Sequence, residues 1–391
     1  MESLKDKVAI VGMGISKFGE RWDASPEDMI IEAAYEAYED AGVDSGDIQA
    51  AWVGTLRSGE AGVTIADPLK LKDIPITRVE NWCVTGHEAL RNAALGIASG
   101  LYDVVLAVGF EKLKDTGIPG LGTGRGANPV YQAGATAPGY FANIATRYFH
   151  DHGWDEEQGK TILAKISVKN HHNGTMSPKA HFQREVTVDE VLKAPMISWP
   201  LGLLDCCPTT DGAAAAILCR ADLASSFRSD PVYIKGIGLS VDPMLPTLRP
   251  GFDYVGFEAN RDAARQAYDQ AGVKDPRQEI DVATVHDCFT ITEMVIYEDL
   301  GFSPAGRGWE DVEAGTFTLE GDLPVNTDGG LKAFGHPVGA TGLRTAYEIY
   351  KQLQGKAGPR QVKNVELGLC HTLGGTPQVA CVAILGNSKG Q

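Results

Sequence analysis

The chain has 391 residues, 43% of them hydrophobic and 22% charged, with a formal net charge of −16. Such a composition supports a core of two or three domain-sized units and excludes a largely disordered chain, and the acidity excludes nucleic acid or an anionic membrane as principal partner. No apolar run reaches membrane length, no apolar signal segment follows the charged Met1–Lys7, and seven cysteines without zinc spacing exclude a disulfide framework, so a cytoplasmic protein with reduced thiols and no metal is expected.

In chain order, Val8 to Ser16 reads as a short apolar strand ending in a glycine turn. Pro26 to Tyr38 follows with helical spacing, stopped by Ala41-Gly42, and Ala50 to Gly54 is a second strand. Gly12-Met13-Gly14 lacks the third glycine and the acidic residue of a dinucleotide loop, so that motif carries little weight. The stretch Glu80 to Leu95 reads as a loop that ends in Cys83 and runs straight into a helix stopped by Ser99-Gly100. A cysteine at a helix N-terminus sits among free N–H groups and the positive end of the dipole, which favour a thiolate. The competing reading of any single cysteine is a small buried hydrophobe.

Val104 to Val108 and Ala213 to Leu218 are apolar runs that suit strands buried on both faces. Between them lies extra sequence, residues 112–197, rich in Gly, Pro, Asn and His from Thr116 to Pro138 and helical in pattern from Gly139 to Asn170. Insertions of this kind are where binding loops are built. Its basic cluster at Lys160 to Lys169, like Arg344 to Lys356 later on, reads as a solvated face. Cys206 and Cys207, before Pro208, read as packing, and the adjacent His171-His172 are poorly placed to share one ion.

The second half repeats the first. Gly12 and Gly14 recur as Gly236 and Gly238, and Ala33 to Val43 recurs as Ala263 to Val273. Cys83-Val84-Thr85-Gly86 recurs as Gly339-Ala340-Thr341-Gly342, and Asp103 to Gly109 as Asn364 to Cys370. Slowly drifting offsets are what two copies of one fold with small loop insertions produce. Each copy reads strand, helix, strand, helix, strand, which implies βαβ units and sheets covered by helices. The division that follows is residues 1–111 with 198–230, an inserted 112–197, and residues 231–391.

Three strings now stand together: Cys83 at a helix start, His286-Asp287-Cys288-Phe289 after a second-half strand, and Gly335-His336-Pro337-Val338-Gly339-Ala340-Thr341-Gly342 before the matching helix. On these strings, and over nearly its whole length, the chain resembles the thiolases. It is most similar to the branch holding the sterol-carrier-protein thiolases and the archaeal and bacterial thiolases that assemble with small zinc-ribbon/OB-fold acyl-CoA proteins. The resemblance implies a thiolase fold: two βαβαβ halves related by a pseudo-two-fold and stacked as α/β/α/β/α layers, with an inserted loop domain. It also implies at least a homodimer, a possible small zinc-ribbon/OB-fold partner, coenzyme A as co-substrate and no permanently bound cofactor.

By the same resemblance the chain cleaves a 3-oxoacyl-CoA with CoA, or runs the reverse condensation, through an acyl-Cys83 intermediate. His336 would be the base for Cys83 and a donor to the enolate oxygen. Cys288 would move the α-carbon proton and later deprotonate CoA. His286, two residues away and so on the same face of a strand, would complete the enolate hole. The backbone N–H of Cys83 and that of Gly374 would hold the oxygen of the acyl-enzyme. His87 reads as a helix-surface or core histidine ahead of a pocket residue, Asp287 as a local hydrogen-bonding group and Phe289 as core.

The chain departs from the family in two places. Cys370-His371-Thr372 lacks the Cys-x-Gly of ordinary thiolases, so Cys370 reads as core at a strand end. Thr376-Pro377 occupies a normally glycine-rich turn, which tilts the expected substrate towards a bulky or aromatic acyl group such as that of benzoylsuccinyl-CoA. The rivals are a retro-aldolase acting on a 3-hydroxyacyl-CoA, which needs no acyl-cysteine, and a non-catalytic acyl-CoA-binding scaffold.

Overall fold

The computed structural model describes residues 3–116, 136–242, 251–252 and 254–390. Most of the Gly- and Pro-rich start of the expected insertion lies outside the described residues. The first half begins with strand β1 (Val8–Ile15), helix α1 (Pro26–Ala41), and strands β2 (Ala50–Gly54) and β3 (Ile76–Val79). Helix α2 (Thr85–Ala98) and strand β4 (Val104–Glu111) follow; helices α3 (Ala137–His152) and α4 (Glu156–Thr175) then precede strand β5 (Gly212–Arg220). The second half comprises β6 (Val232–Val241), α5 (Glu258–Ala271), β7 (Val282–Thr284), α6 (Thr290–Asp299), α7 (Thr341–Leu353), β8 (Leu367–Gly374) and β9 (Val379–Gly386). Local chemistry sets the ends. Ser25 and Asp28 form a reciprocal capping box before Pro26, and Gly42, at φ 69°, closes α1 in the left-handed region.

The strands form one sheet in the order β3-β2-β4-β5-β1-β6-β9-β8-β7. Its two halves meet at a short antiparallel contact, Ala9 opposite Tyr233 and Ile10 opposite Val232. Alternate faces of each strand feed different cores. Val8, Ile10 and Met13 point to a central core with Leu90, Ala93, Leu343, Ala346 and Ile349 of α2 and α7, whereas Ala9 and Val11 face α1. α5 covers the outer side of the second half. The layers are therefore α1, first half-sheet, α2 with α7, second half-sheet, α5, as a thiolase fold requires.

The repeat is preserved in atomic detail. A side chain on Gly12 or Gly14 would run into the Ala37 and Ala33 carbonyls, and one on Gly236 or Gly238 into those of Ala267 and Ala263. In the first half, Asp40 and Glu36 accept the free N–H groups of Met13 and Ile15; in the second, Gln270 and Gln266 accept those of Ile237 and Leu239. The halves differ at the far edge. The counterpart of β3 shrinks to a single bridge between Ala283 and Val325.

Helices α3 and α4 of the inserted segment pack on the second half. Phe141 stacks on Phe289 at 4.8 Å, and the Tyr148 hydroxyl donates to Glu298 at 2.7 Å. This corrects the reading of the basic clusters as solvated faces. Lys160 and Lys165 do pair at the surface with Glu156 and Glu313, but Lys169 is buried against Glu293 and Arg344 is wholly buried against Asp328. Both carboxylates are themselves buried, so these cations hold packed elements together. Among the described residues, no helix is long and apolar enough to cross a membrane.

Candidate active site

The site forms where the N-termini of α2 and α7 meet. A Cβ on Gly86 would lie 2.8 Å from the Gly342 nitrogen and 2.9 Å from the Gly339 carbonyl, so only glycine permits this approach. Ahead of α2, the Thr85 hydroxyl donates to the Trp82 carbonyl (2.5 Å) and accepts the Asn81 N–H (2.9 Å). The turn forces Trp82 to φ 50°, a left-handed conformation that a bulky side chain rarely adopts, and presents Cys83. Ahead of α7, the Gly339 N–H donates to Glu111 at 3.1 Å. The same buried carboxylate accepts from Leu56, Arg57 and Ser58, clamping the Gly-His-Pro loop to the first half.

This arrangement brings Cys83, His286 and His336 together: one ligand atom from each lies within 4.8 Å of the others. The two imidazoles stand edge to face with ring centres 5.1 Å apart. The Thr341 hydroxyl lies 2.7 Å from His336 Nδ1 and donates to the Pro337 carbonyl at 3.0 Å. A hydroxyl has one proton, so Nδ1 must donate and Nε2 carries the lone pair. That Nε2 is buried without a hydrogen-bond partner.

His286 is held through its backbone. Its N–H donates to His371 Nδ1 at 3.4 Å, and His371 Nε2 donates to Asn260 Oδ1 at 3.0 Å. The Asn260 amide nitrogen donates to Asp299 at 3.0 Å, which fixes the direction of the whole chain of bonds.

The structure corrects the argument that put His286 and Cys288 on one strand face. β7 ends at Thr284, and both residues lie in the loop before α6. The ladder stops because side chains take over its hydrogen bonds. Val285 N–H donates to Asn326 Oδ1 (2.8 Å), and Asp287 accepts from Leu331 (2.5 Å), Lys332 (3.0 Å) and Asn170 (2.8 Å). Asp287 thereby docks the segment leading to His336. The Cys288 sulfur lies 3.6 Å from the Thr292 hydroxyl, and its carbonyl accepts the Cys207 N–H at 2.9 Å. Cys207, read from the sequence as packing, is a neighbour of the site.

The expectation of a thiolate at Cys83 is also overturned. Cys83 precedes the N-cap Val84, and burial pushes its thiol up to about 12 against the opposing N–H of Gly375. Burial, with the Arg344 charge second, pushes His336 and His87 down to about 3; His371 falls to about 3 by burial and His87, and His286 lies well below its ordinary value by burial and His336. Burial likewise raises Cys288. Burial thus opposes charge on the thiols and the imidazoles of the site alike.

Gly374 lies beside Cys83, with a Cβ there falling 3.3 Å from the Cys83 nitrogen. The next residue, Gly375, aims its N–H at the Cys83 sulfur. Cys370 is wholly buried in the middle of β8, not at a strand end, with its sulfur 3.5 Å from the Ala383 carbonyl. His87 is buried between Thr372 (2.6 Å) and Thr345 (3.3 Å). Sequence reasoning missed Thr341, Glu111, Gly375 and the His371–Asn260–Asp299 chain. Thr341 had a signal, as the repeat of Thr85; the others had none.

Comparison with known proteins identifies the family. The model of the thiolase N-terminal domain matches residues 8–222, and that of the thiolase C-terminal domain-like family matches residues 251–387. An acetyl-CoA acetyltransferase of Methanothermobacter thermautotrophicus is 42% identical over 385 residues, 96% of this chain and 98% of the relative. Bovine sterol carrier protein 2 is 34% identical over 95% of this chain and 70% of its own length. Among solved structures, an Ltp2-ChsH2(DUF35) aldolase matches with a TM-score of 0.87 at 23% identity over all of both chains. Human mitochondrial 3-ketoacyl-CoA thiolase matches with a TM-score of 0.73 at 16% identity over 99% of this chain and 100% of its own.

Proposed function

The chain belongs to the thiolase family, and from that premise we propose that it cleaves a 3-oxoacyl-CoA with CoA, or runs the reverse condensation, through an acyl-Cys83 intermediate. The observation that carries this reading is the convergence of Cys83, His286 and His336, with the lone pair of His336 Nε2 left unpartnered. In the cleavage direction, Nε2 takes the thiol proton as Cys83 attacks the 3-oxo carbon. The carbon–carbon bond breaks, leaving acyl-Cys83 and the enolate of acetyl-CoA. His286 and His336 donate to the enolate oxygen, and Cys288 protonates its α-carbon. Cys288 then takes the proton of incoming CoA, whose sulfur attacks acyl-Cys83, and His336 returns its proton to the departing thiolate. The N–H groups of Cys83 and Gly374 hold the acyl oxygen.

In this reading the high thiol value of Cys83 is suited to the task. A neutral thiol resists stray alkylation and oxidation and becomes nucleophilic only with substrate in place. The turn at Gly374 to Gln378 packs against Trp82 beside Cys83, and its Thr376-Pro377 supports a bulky acyl group among the substrates. A retro-aldolase would leave the Cys83–His336 pair unused. We further propose a homodimer, supported by the outer edge of β3, which pairs with no strand among the described residues, and a small acyl-CoA-binding partner, supported by the neighbour of the same fold solved with a DUF35 protein.

The test is acylation in the absence of free CoA, across acyl groups from acetyl to benzoylsuccinyl. Wild type gains one acyl mass on the peptide holding Cys83, whereas Cys83→Ser folds, gains none and loses at least about 10³-fold in turnover. An unmodified Cys83, with activity surviving in the serine variant, rules the mechanism out.

A further inference from the structure

We propose that Cys83, His286 and His336 also form a binding site for a soft divalent cation, zinc above all, whose occupancy reversibly blocks acyl transfer; the blocking rests on the function proposed above, the binding does not. The absence of zinc spacing in the sequence says nothing about this site, because its three ligands come from three separate loops. Among the described residues, the group of three or more histidine, cysteine or carboxylate side chains close enough to share an ion is Cys83, His286 and His336.

Three features favour zinc. One thiolate and two imidazoles are the ligand types it prefers, and three protein ligands with one open position are its arrangement at exchangeable sites. Two buried nitrogens of the cluster, His286 Nδ1 and His336 Nε2, have no hydrogen-bond partner. His336 also has the outer support of a metal-binding histidine, since its Nδ1–H is held by Thr341, which in turn is bonded to Pro337.

The geometry is close to what an ion requires. Tetrahedral zinc with ordinary bond lengths places sulfur and nitrogen ligands about 3.5 Å apart, and the three atoms here lie within 4.8 Å. Contraction on the order of 1 Å suffices, within reach of a χ1 rotation at Cys83 and a tilt of either ring. Cys83 retains partial exposure, which supplies a route for the ion. Binding is balanced as Cys83–SH plus M²⁺ giving Cys83–S–M⁺ plus one proton, with no oxidant or reductant. It occupies the sulfur lone pair and the Nε2 lone pair together, so nucleophile and base are lost in one event.

The test uses Co²⁺ as a spectroscopic probe on the full chain after chelation. The expected result is one equivalent bound, one proton released, a sulfur-to-cobalt charge-transfer absorption, and protection of Cys83 from alkylation by mass spectrometry. Cys83→Ser should lose the absorption, and His286→Gln and His336→Gln should each weaken binding at least tenfold. Cobalt bound without that absorption, or an absorption surviving in Cys83→Ser, overturns the site. Turnover of 3-oxoacyl-CoA by the metal-free chain is measured separately. Active chain that binds no cobalt removes this site alone, and inactive chain that binds cobalt through Cys83 removes the proposed reaction and keeps the site. Where both hold, Zn²⁺ should suppress turnover at least tenfold and EDTA should restore it.

Discussion

The two helix starts that meet at the site come from one repeated string used in two ways. Cys83-Val84-Thr85-Gly86 and Gly339-Ala340-Thr341-Gly342 occupy matching positions before α2 and α7, and both glycines serve the same close approach. The threonines diverge in use. Thr85 spends its hydroxyl on its own loop, bonding Trp82 and Asn81 so that Cys83 is presented. Thr341 spends its hydroxyl on His336 and Pro337, fixing which His336 nitrogen carries the lone pair. In the proposed reaction the first half thus supplies the attacking thiol and the second half the proton chemistry. A duplicated fold has been specialised by changing what surrounds a retained threonine.

The sharpest way to break that division is at Cys288. If the second half alone handles protons, Cys288→Ala should still be acylated at Cys83 by a simple acyl-CoA. It should lose the exchange of acetyl-CoA α-protons with deuterated water and about 10²–10⁴-fold in overall thiolysis. Proton exchange at the wild-type rate in this variant removes Cys288 from its role.

The threonine pair gives a smaller effect and a direct contrast. Thr341→Val releases the His336 tautomer, so turnover should fall about 10–100-fold, with Thr341→Ser restoring most of it. Thr85→Val should act mainly on stability, by roughly 1–2 kcal/mol for a buried carbonyl and N–H left without the hydroxyl, with a milder kinetic change. Equal kinetic losses in the two variants, or no rescue by serine, would show that the threonines do the same job.

The pH dependence of stability weighs the buried imidazoles of the two halves. His87, His171, His286, His336 and His371 all have folded values below the ordinary one, through burial first. Below about pH 6.5 the unfolded chain takes up protons that these folded groups refuse, so they make stability fall as pH falls. Asp205, Asp287 and Asp299 are raised by burial; Asp287 and Asp299, at about 7, oppose this between roughly pH 4 and 7 because their folded carboxyls keep protons that the unfolded chain sheds. With His181 lowered in the same way, the imidazoles outnumber the raised carboxyls, so stability should fall on acidification below about pH 6.5. Denaturant midpoints at several pH values check this. Replacing His87, the buried imidazole of α2, with Gln should flatten the slope by about one group, and a midpoint that rises on acidification contradicts the assignment.

How much of this was legible follows from where each signal lives. The repeat showed in the sequence because backbone packing constrains it: Gly12 and Gly236 cannot carry a side chain against Ala37 and Ala267. Cys83, His286, Cys288 and His336 stood out because they lie in short strings with a chemical rationale. The strand-face argument for His286 and Cys288 failed because the side chains of Asn326 and Asp287 accept backbone N–H groups there and end β7 early, which periodicity does not register. The thiolate at Cys83 failed because desolvation, which only the fold creates, outweighs the helix end. His371, Asn260 and Asp299 lie up to 111 residues apart, and nothing local marks them as one chain.

The smallest effect tests the boundary between site and core in the second half itself. Cys288 and Cys370 are both buried thiols, and burial raises both. They differ in neighbours. Cys288 lies in the loop with His286, beside Cys207 and Thr292. Cys370 sits within β8, opposite Ala383 of β9, in the central core that also holds Leu343 and Ile349. Cys370→Ala removes only a small buried sulfur, so stability should drop by about 1–2 kcal/mol. Acylation of Cys83, α-proton exchange and thiolysis should each stay within about twofold of wild type when measured well below the new melting temperature. Exchange lost in Cys370→Ala and kept in Cys288→Ala would move the acid–base thiol into the strand and undo the assignment of proton chemistry to the loops.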